Sequence, residues 1–185
     1  MLRCDVPREG KPQFLAAHVD LDGLENKEFW ADYWDNGLVG TAMYFLPHLA
    51  AMPERAGAAI SAVVSAPAGG VLFHCMGGRD RTGVLAMALL HAIGTDPERI
   101  VDDYLDTVRL GDARAARGKR NNAKPRLEEL CRHHGTTTEG AFRSALENFD
   151  LRALLDSAAI TDEDREALST WRGGATTPQT GTARL

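Results

Sequence analysis

Three apolar residues, Val71-Leu72-Phe73, lead directly into His74-Cys75-Met76-Gly77-Gly78-Arg79-Asp80-Arg81-Thr82-Gly83, after which the chain turns apolar again. A short apolar run after the Gly69-Gly70 turn predicts a buried central strand. Val84, Leu85, Met87, Leu89 and Leu90 then cover most of a helical circumference, which predicts a buried helix. The ten residues between them must form a loop from the end of a strand to the start of a helix. Such a loop presents unpaired backbone N–H groups, and the helix dipole adds positive potential. Gly77 and Gly78 let the backbone curl so that successive N–H groups converge as a nest for an anion. Arg81 supplies a planar fork that can hold two phosphate oxygens at once. The same field favours the thiolate of Cys75, and a thiolate beneath a bound phosphate is placed for in-line attack on phosphorus. This chemistry needs no metal and no cofactor. The competing reading of Cys75 is a buried structural thiol, a common fate of free cysteine.

The rest of the chain fits one domain, since 185 residues supply a single sizeable core. Residues 13–19 read as a short strand, followed by the Asp20-Leu21-Asp22-Gly23 turn. Phe29, Trp30, Tyr33 and Trp34 recur at helical spacing and predict a helix over 25–35. A helix over 38–51 must break or kink at Pro47, and another over 53–66 starts at Pro53. Asp96 and Pro97 read as N-cap and first helical residue of a helix whose apolar face is Ile100, Val101, Tyr104, Leu105 and Val108. Further helices are predicted over 125–134, stopped by Gly135, over 139–148, and from Thr161, with Asp164 at the third position of a capping-box-like pattern. Residues 173–185 read as a frayed tail. The expected architecture is an α/β domain over 1–172 with a short, mainly parallel central sheet flanked by helices.

Charge and cysteine usage narrow the function classes. The formal net charge of −5 argues against a general nucleic-acid binder. Residues 109–126 carry a formal +6, leaving −11 for the remainder. That stretch is either a solvated linker or a rim or short lid that attracts polyanionic substrates or anionic membrane surfaces. Three cysteines, at 4, 75 and 131, do not form a disulfide framework and suggest a reducing compartment. The N-terminus lacks the apolar core of a signal peptide, and 38–52 is too short to span a bilayer. A cytoplasmic protein is expected, with export by a signal-less route as the alternative. Cys131, His133 and His134 fit a helix end better than a metal site. Cys4 and Cys131 carry no role beyond that of candidate resolving thiols after oxidation of Cys75.

The segment His74 to Gly83 resembles the active-site loop of the cysteine-dependent protein tyrosine phosphatase superfamily. Its Asp80-Arg81-Thr82-Gly83 ending is similar to the bacterial branch of mycobacterial tyrosine phosphatase B type. His18-Val19-Asp20-Leu21-Asp22 is similar to the strand and loop before the aromatic helix of that branch, and Asp103-Tyr104-Leu105 to a later helix. His134-Gly135 and the helices up to Trp171 resemble its C-terminal segment. The likeness covers about 10–172 and is strong only in the loop.

This resemblance implies hydrolysis of phosphotyrosine in proteins or peptides through a phosphocysteine intermediate, with phosphoserine, phosphothreonine and phosphoinositides as further candidate substrates. Cys75 would be the nucleophile, and Arg81 would bind the phosphate. Thr82 would hydrogen-bond the departing thiolate, and His74 would orient the loop. Met76, Gly77, Gly78, Arg79 and Gly83 would complete the substrate-binding segment. Arg79 stands where the family usually has lysine, so the cation is kept. The general acid would be Asp80, inside the loop, or Asp22, in the region where the family places a mobile acid. The family normally opens with further structure and a strand ending Asp-Leu-Arg, whereas this chain begins Met1-Leu2-Arg3. That predicts either a start further upstream or a sheet lacking its first strand. The competing function is a catalytically impaired phosphate-binding pseudophosphatase. A thiol oxidoreductase would need a resolving cysteine near Cys75, which the sequence lacks.

Overall fold

The computed structural model describes residues 2–8, 11–67, 70–118 and 124–171. In chain order they form β1 (Leu2–Arg8), β2 (Lys11–Ala17), α1 (Lys27–Asp35), a 3-10 turn (Ala42–Tyr44), α2 (Phe45–Ala51), α3 (Pro53–Val64), β3 (Val71–Phe73), α4 (Asp80–Ala92), α5 (Pro97–Gly118), α6 (Lys124–His133), α7 (Thr138–Glu147), α8 (Leu151–Ser157) and α9 (Asp162–Thr170). The predicted tail, 173–185, lies outside the described residues.

Helices dominate, and the strands depart from expectation in two ways. They pair in the order β2-β1-β3, and both pairings are antiparallel rather than parallel. The link between β1 and β2 is only two residues, a length that can join antiparallel strands but not parallel ones, which need a crossover of a dozen residues or more. β3, expected to be central and buried, stands at the edge with Leu72 62% exposed. A three-residue apolar run marks a strand but says nothing of its rank in a sheet. β1 itself was not anticipated.

The helices follow their sequence signals closely. Asn26 caps α1 by accepting the Phe29 N–H at 3.2 Å. The Asp96 carboxylate accepts the Glu98 N–H at 3.0 Å before α5, and Thr161 accepts the Asp164 N–H at 3.1 Å at the start of α9. Pro47 falls in the first turn of α2, where a helical N–H has no partner, so the predicted 38–51 helix is shortened to begin at Phe45. α5 runs on to Gly118, so the first half of the basic stretch is helix rather than linker. Lys119 and Arg120 lie outside the described residues.

The core collects around α3 and α4, with Phe45, Ile60, Val63, Met87, Ile100 and Phe142 almost fully buried. Tyr104 of α5 stacks on Phe142 of α7, with ring centroids 4.0 Å apart. Gly83 sits where α4 meets α5, and a Cβ there would lie 3.3 Å from the Tyr104 ring. Its lack of a side chain lets the N-terminal turn of α4 press onto the core. That fixes the helix end of the loop from Phe73.

Candidate active site

β3 delivers His74 and Cys75 to the start of the loop, and the first turn of α4 receives its end. Gly78 adopts a left-handed conformation, φ +76°, which few residues but glycine take without strain. In that conformation its N–H donates to Cys75 Sγ at 3.1 Å. The Cys75 N–H donates to Thr82 Oγ1 at 2.9 Å, tying the two ends of the loop together. Because that hydroxyl oxygen accepts from Cys75 N–H, its own hydrogen is available to the sulfur. α4 begins without a side-chain cap on its N-terminus, so its first N–H groups remain for the sulfur or an anion. Burial pushes the Cys75 thiol up, but the Thr82 hydroxyl and the N–H groups of Thr82, Gly78 and Gly77 outweigh it. The net effect is a lowered pKa and a favoured thiolate.

Arg81 lies in the first turn of α4, and its Nη1 is 3.0 Å from Asp22 Oδ2. The fold thus brings Asp22 across to the loop. Burial pushes the Asp22 carboxyl up by more than Arg81 pulls it down, and the carboxylates of Asp20 and Asp80 add to the rise. Asp80 is held differently. Its Oδ1 faces Arg79 Nε at 3.3 Å and its Oδ2 faces Arg79 Nη2 at 3.5 Å. That guanidinium packs against the turn at Gly40, where a Cβ would lie 3.3 Å from Arg79 Nη2.

The remaining candidates separate by position. Met76 is 79% exposed at the crest of the loop. His74 Nδ1 lies 3.0 Å from the Cys75 carbonyl oxygen. The Gly83 N–H donates to the Arg79 carbonyl at 2.9 Å, so this residue belongs to the helix rather than to the rim of N–H groups. A cleft of about 100 Å³ opens beside the loop, lined by His18 to Leu21, Phe73 to Cys75, Arg81 and Thr82 among others. Cys131 is buried on α6 with the Thr138 hydroxyl 4.0 Å from its sulfur, and His134 Nε2 lies 3.0 Å from the Asn36 carbonyl. These are packing and capping contacts at a helix end. Among the described residues no group of three or more His, Cys, Asp or Glu side chains gathers as a metal cage. The Cys4 side chain lies outside the described part of the molecule.

Sequence reasoning missed the residues that hold the Asp22 loop, namely Trp30, His48 and Arg55. The turn chemistry of Asp20-Leu21-Asp22-Gly23 was visible, but its partners lie on α1, α2 and α3.

Comparison with known proteins adds to this geometry. Residues 28–171 match the sequence model of the tyrosine phosphatase family. The chain is also similar to the triple specificity protein phosphatase PtpB of Mycobacterium tuberculosis (strain ATCC 25618 / H37Rv), with 47% identity over 57 residues, or 29% of this chain and 21% of that protein. It therefore spans about a fifth of that relative's length. No solved structure matches the chain. Among the described residues no helix is long and apolar enough to cross a membrane.

Proposed function

Because the chain belongs to the tyrosine phosphatase family, we propose that it hydrolyses phosphotyrosine in proteins or peptides through a phosphocysteine intermediate on Cys75. The observation that carries this reading is the Cys75 sulfur, which accepts the Gly78 N–H at 3.1 Å and has a lowered pKa at the floor of an anion-ready loop.

The chemistry follows in two steps. The Cys75 thiolate attacks phosphorus in line, the S–P bond forms, and the bond from phosphorus to the tyrosyl oxygen breaks. Arg81 and the loop N–H groups hold the charge that gathers on the equatorial oxygens. Asp22 gives its proton to the departing phenolic oxygen, a role suited to a carboxyl whose pKa is raised. In the second step the Asp22 carboxylate takes a proton from water as the water oxygen attacks phosphorus. The S–P bond breaks, and the Thr82 hydroxyl and the N–H groups receive the thiolate again. Asp80 then serves to brace Arg79 rather than to move a proton. Met76, Gly77 and Gly78 border the bound phosphomonoester. The reaction uses no metal and fits a reducing cytoplasm. Phosphoserine, phosphothreonine and phosphoinositides are the further substrates to be tried.

Hydrolysis of para-nitrophenyl phosphate in the presence of a chelator, comparing the wild type with Cys75→Ser, tests the reading. A loss on the order of 10³-fold or more is expected. Equal rates would reject the mechanism. Absent turnover in the wild type with retained phosphopeptide binding would instead identify a phosphate-binding module.

A further inference from the structure

We propose that Trp30 and the Asp20–Arg55 pair are positioning residues that lock the Asp22 loop in place, so that the acid acts from a fixed loop rather than a closing one. The inference rests on the reading of Asp22 as the general acid.

The backbone of residues 22 and 23 has no polar group left to spend on water. The N–H groups of Asp22 and Gly23 donate to Asp20 Oδ1, at 3.2 and 3.3 Å. Their carbonyl oxygens accept from one indole N–H, that of Trp30 Nε1, at 3.0 and 3.2 Å. His48 Nε2 approaches the Asp22 carbonyl at 3.4 Å, and the Asn26 N–H donates to the Gly23 carbonyl at 3.0 Å. Asp20 is itself anchored to α3. Its Oδ2 is 2.7 Å from Arg55 Nη1, which also donates to the Asp20 carbonyl at 3.1 Å. Arg55 further pairs with Glu25 on the far side of the same loop.

Sterics close the remaining freedom. Gly23 has φ +60°, and a Cβ on it would lie 2.5 Å from Met52 Sδ and 2.6 Å from Arg55 Nε. The loop is therefore seated directly on the start of α3. Trp30 is 6% exposed and His48 3% exposed, with their rings packed against each other. The Asp22 carboxylate points from this anchored backbone to Arg81. Catalysis by a positioned acid depends on such pre-organisation, because a proton donor out of reach contributes nothing.

The test separates positioning from mere folding by the leaving group. An aryl phosphate with a good leaving group, dinitrophenyl phosphate, needs no proton donor, whereas phenyl phosphate does. Trp30→Phe keeps an aromatic ring and removes the N–H that bridges the two carbonyls together with part of the buried ring system. It is expected to lower kcat on phenyl phosphate by about tenfold or more and on dinitrophenyl phosphate by less than about twofold. The alkaline limb of its phenyl phosphate profile should flatten in parallel. Arg55→Ala, which loosens the loop from the partly exposed side, is expected to do the same and decides the matter if Trp30→Phe does not fold. Equal losses on both substrates, or no loss on either, overturn the inference. Asp22→Asn marks the reading beneath it: if that variant shows no leaving-group dependence, the acid assignment fails. If it does and neither Trp30→Phe nor Arg55→Ala follows it, only the positioning role fails.

Discussion

Asp22 Oδ2 lies 3.0 Å from Arg81 Nη1, so one ion pair joins the proposed acid to the proposed phosphate fork. A phosphate dianion entering the loop would engage that fork and place further negative charge beside Asp22. Burial already raises the Asp22 pKa, and the loss of Arg81 would raise it again.

Binding of an oxyanion should therefore draw a proton onto Asp22. Since the pKa is higher in the complex, affinity is greatest where Asp22 is already protonated and weakens as pH rises through its free-enzyme pKa. Asp22→Asn should remove that component and bind more tightly than wild type at high pH. Calorimetric titration with phosphate or vanadate, in buffers of different ionisation enthalpy, measures the proton uptake. Identical uptake in the wild type and Asp22→Asn would disprove the coupling, because the ligand's own titration is common to both.

Thr82 makes the other proton-linked prediction. Its hydroxyl is the foremost of the groups that overcome burial and lower the Cys75 pKa. Thr82→Val should raise that pKa and move the acidic limb of kcat/KM to higher pH. The rate of alkylation by iodoacetate against pH reads the same group directly, and Thr82→Ser should restore the wild-type curve. An alkylation profile unchanged in Thr82→Val would mean that the N–H groups alone set the thiolate.

Gly78 and Gly77 are neighbours with different demands. Gly78 has φ +76° and turns its N–H to the sulfur, whereas a Cβ on Gly77 would meet nothing within 4 Å. A side chain in the left-handed region costs about 1–2 kcal/mol. Gly78→Ala should lower kcat/KM by about tenfold or more, with Gly77→Ala keeping the greater activity. Gly78→Ala should also melt below Gly77→Ala, by about 2–8 °C, because unfolding relieves the strain. The reverse order of activities would show that space above the loop matters more than its backbone conformation.

The loop was legible because its chemistry is contiguous: nucleophile, glycines and arginine lie between His74 and Gly83, flanked by an apolar run and a helical pattern. The caps Asp96 and Thr161 were equally local, and both make the expected contacts. Sheet direction was not legible, since three residues of β3 carry no mark of their partner. α8 escaped notice because seven residues are too few for a helical period, although Asp150 caps it by accepting the Ala153 N–H at 2.9 Å. The contrast between Asp22 and Asp80 lay beyond sequence for a different reason. Asp80 lies between Arg79 and Arg81 in sequence while Asp22 has no arginine near it, and only the fold brings Asp22 to Arg81 and turns Asp80 to Arg79.

The packing of α3 against α8 yields a stability prediction that pits two effects against each other. A Cβ on Gly57 would lie 2.8 Å from Ala158 Cβ and 3.1 Å from the Ala158 carbonyl oxygen. Alanine favours a helix interior over glycine by about 1 kcal/mol. Against this, overpacking costs about 1–3 kcal/mol. The near contact includes backbone, at the C-terminal end of α8, which cannot rotate out of the way as a long side chain could. Overpacking should win, so Gly57→Ala should lose up to about 2 kcal/mol and lower Tm by up to about 8 °C. A raised Tm would mean that α8 yields and helix propensity prevails.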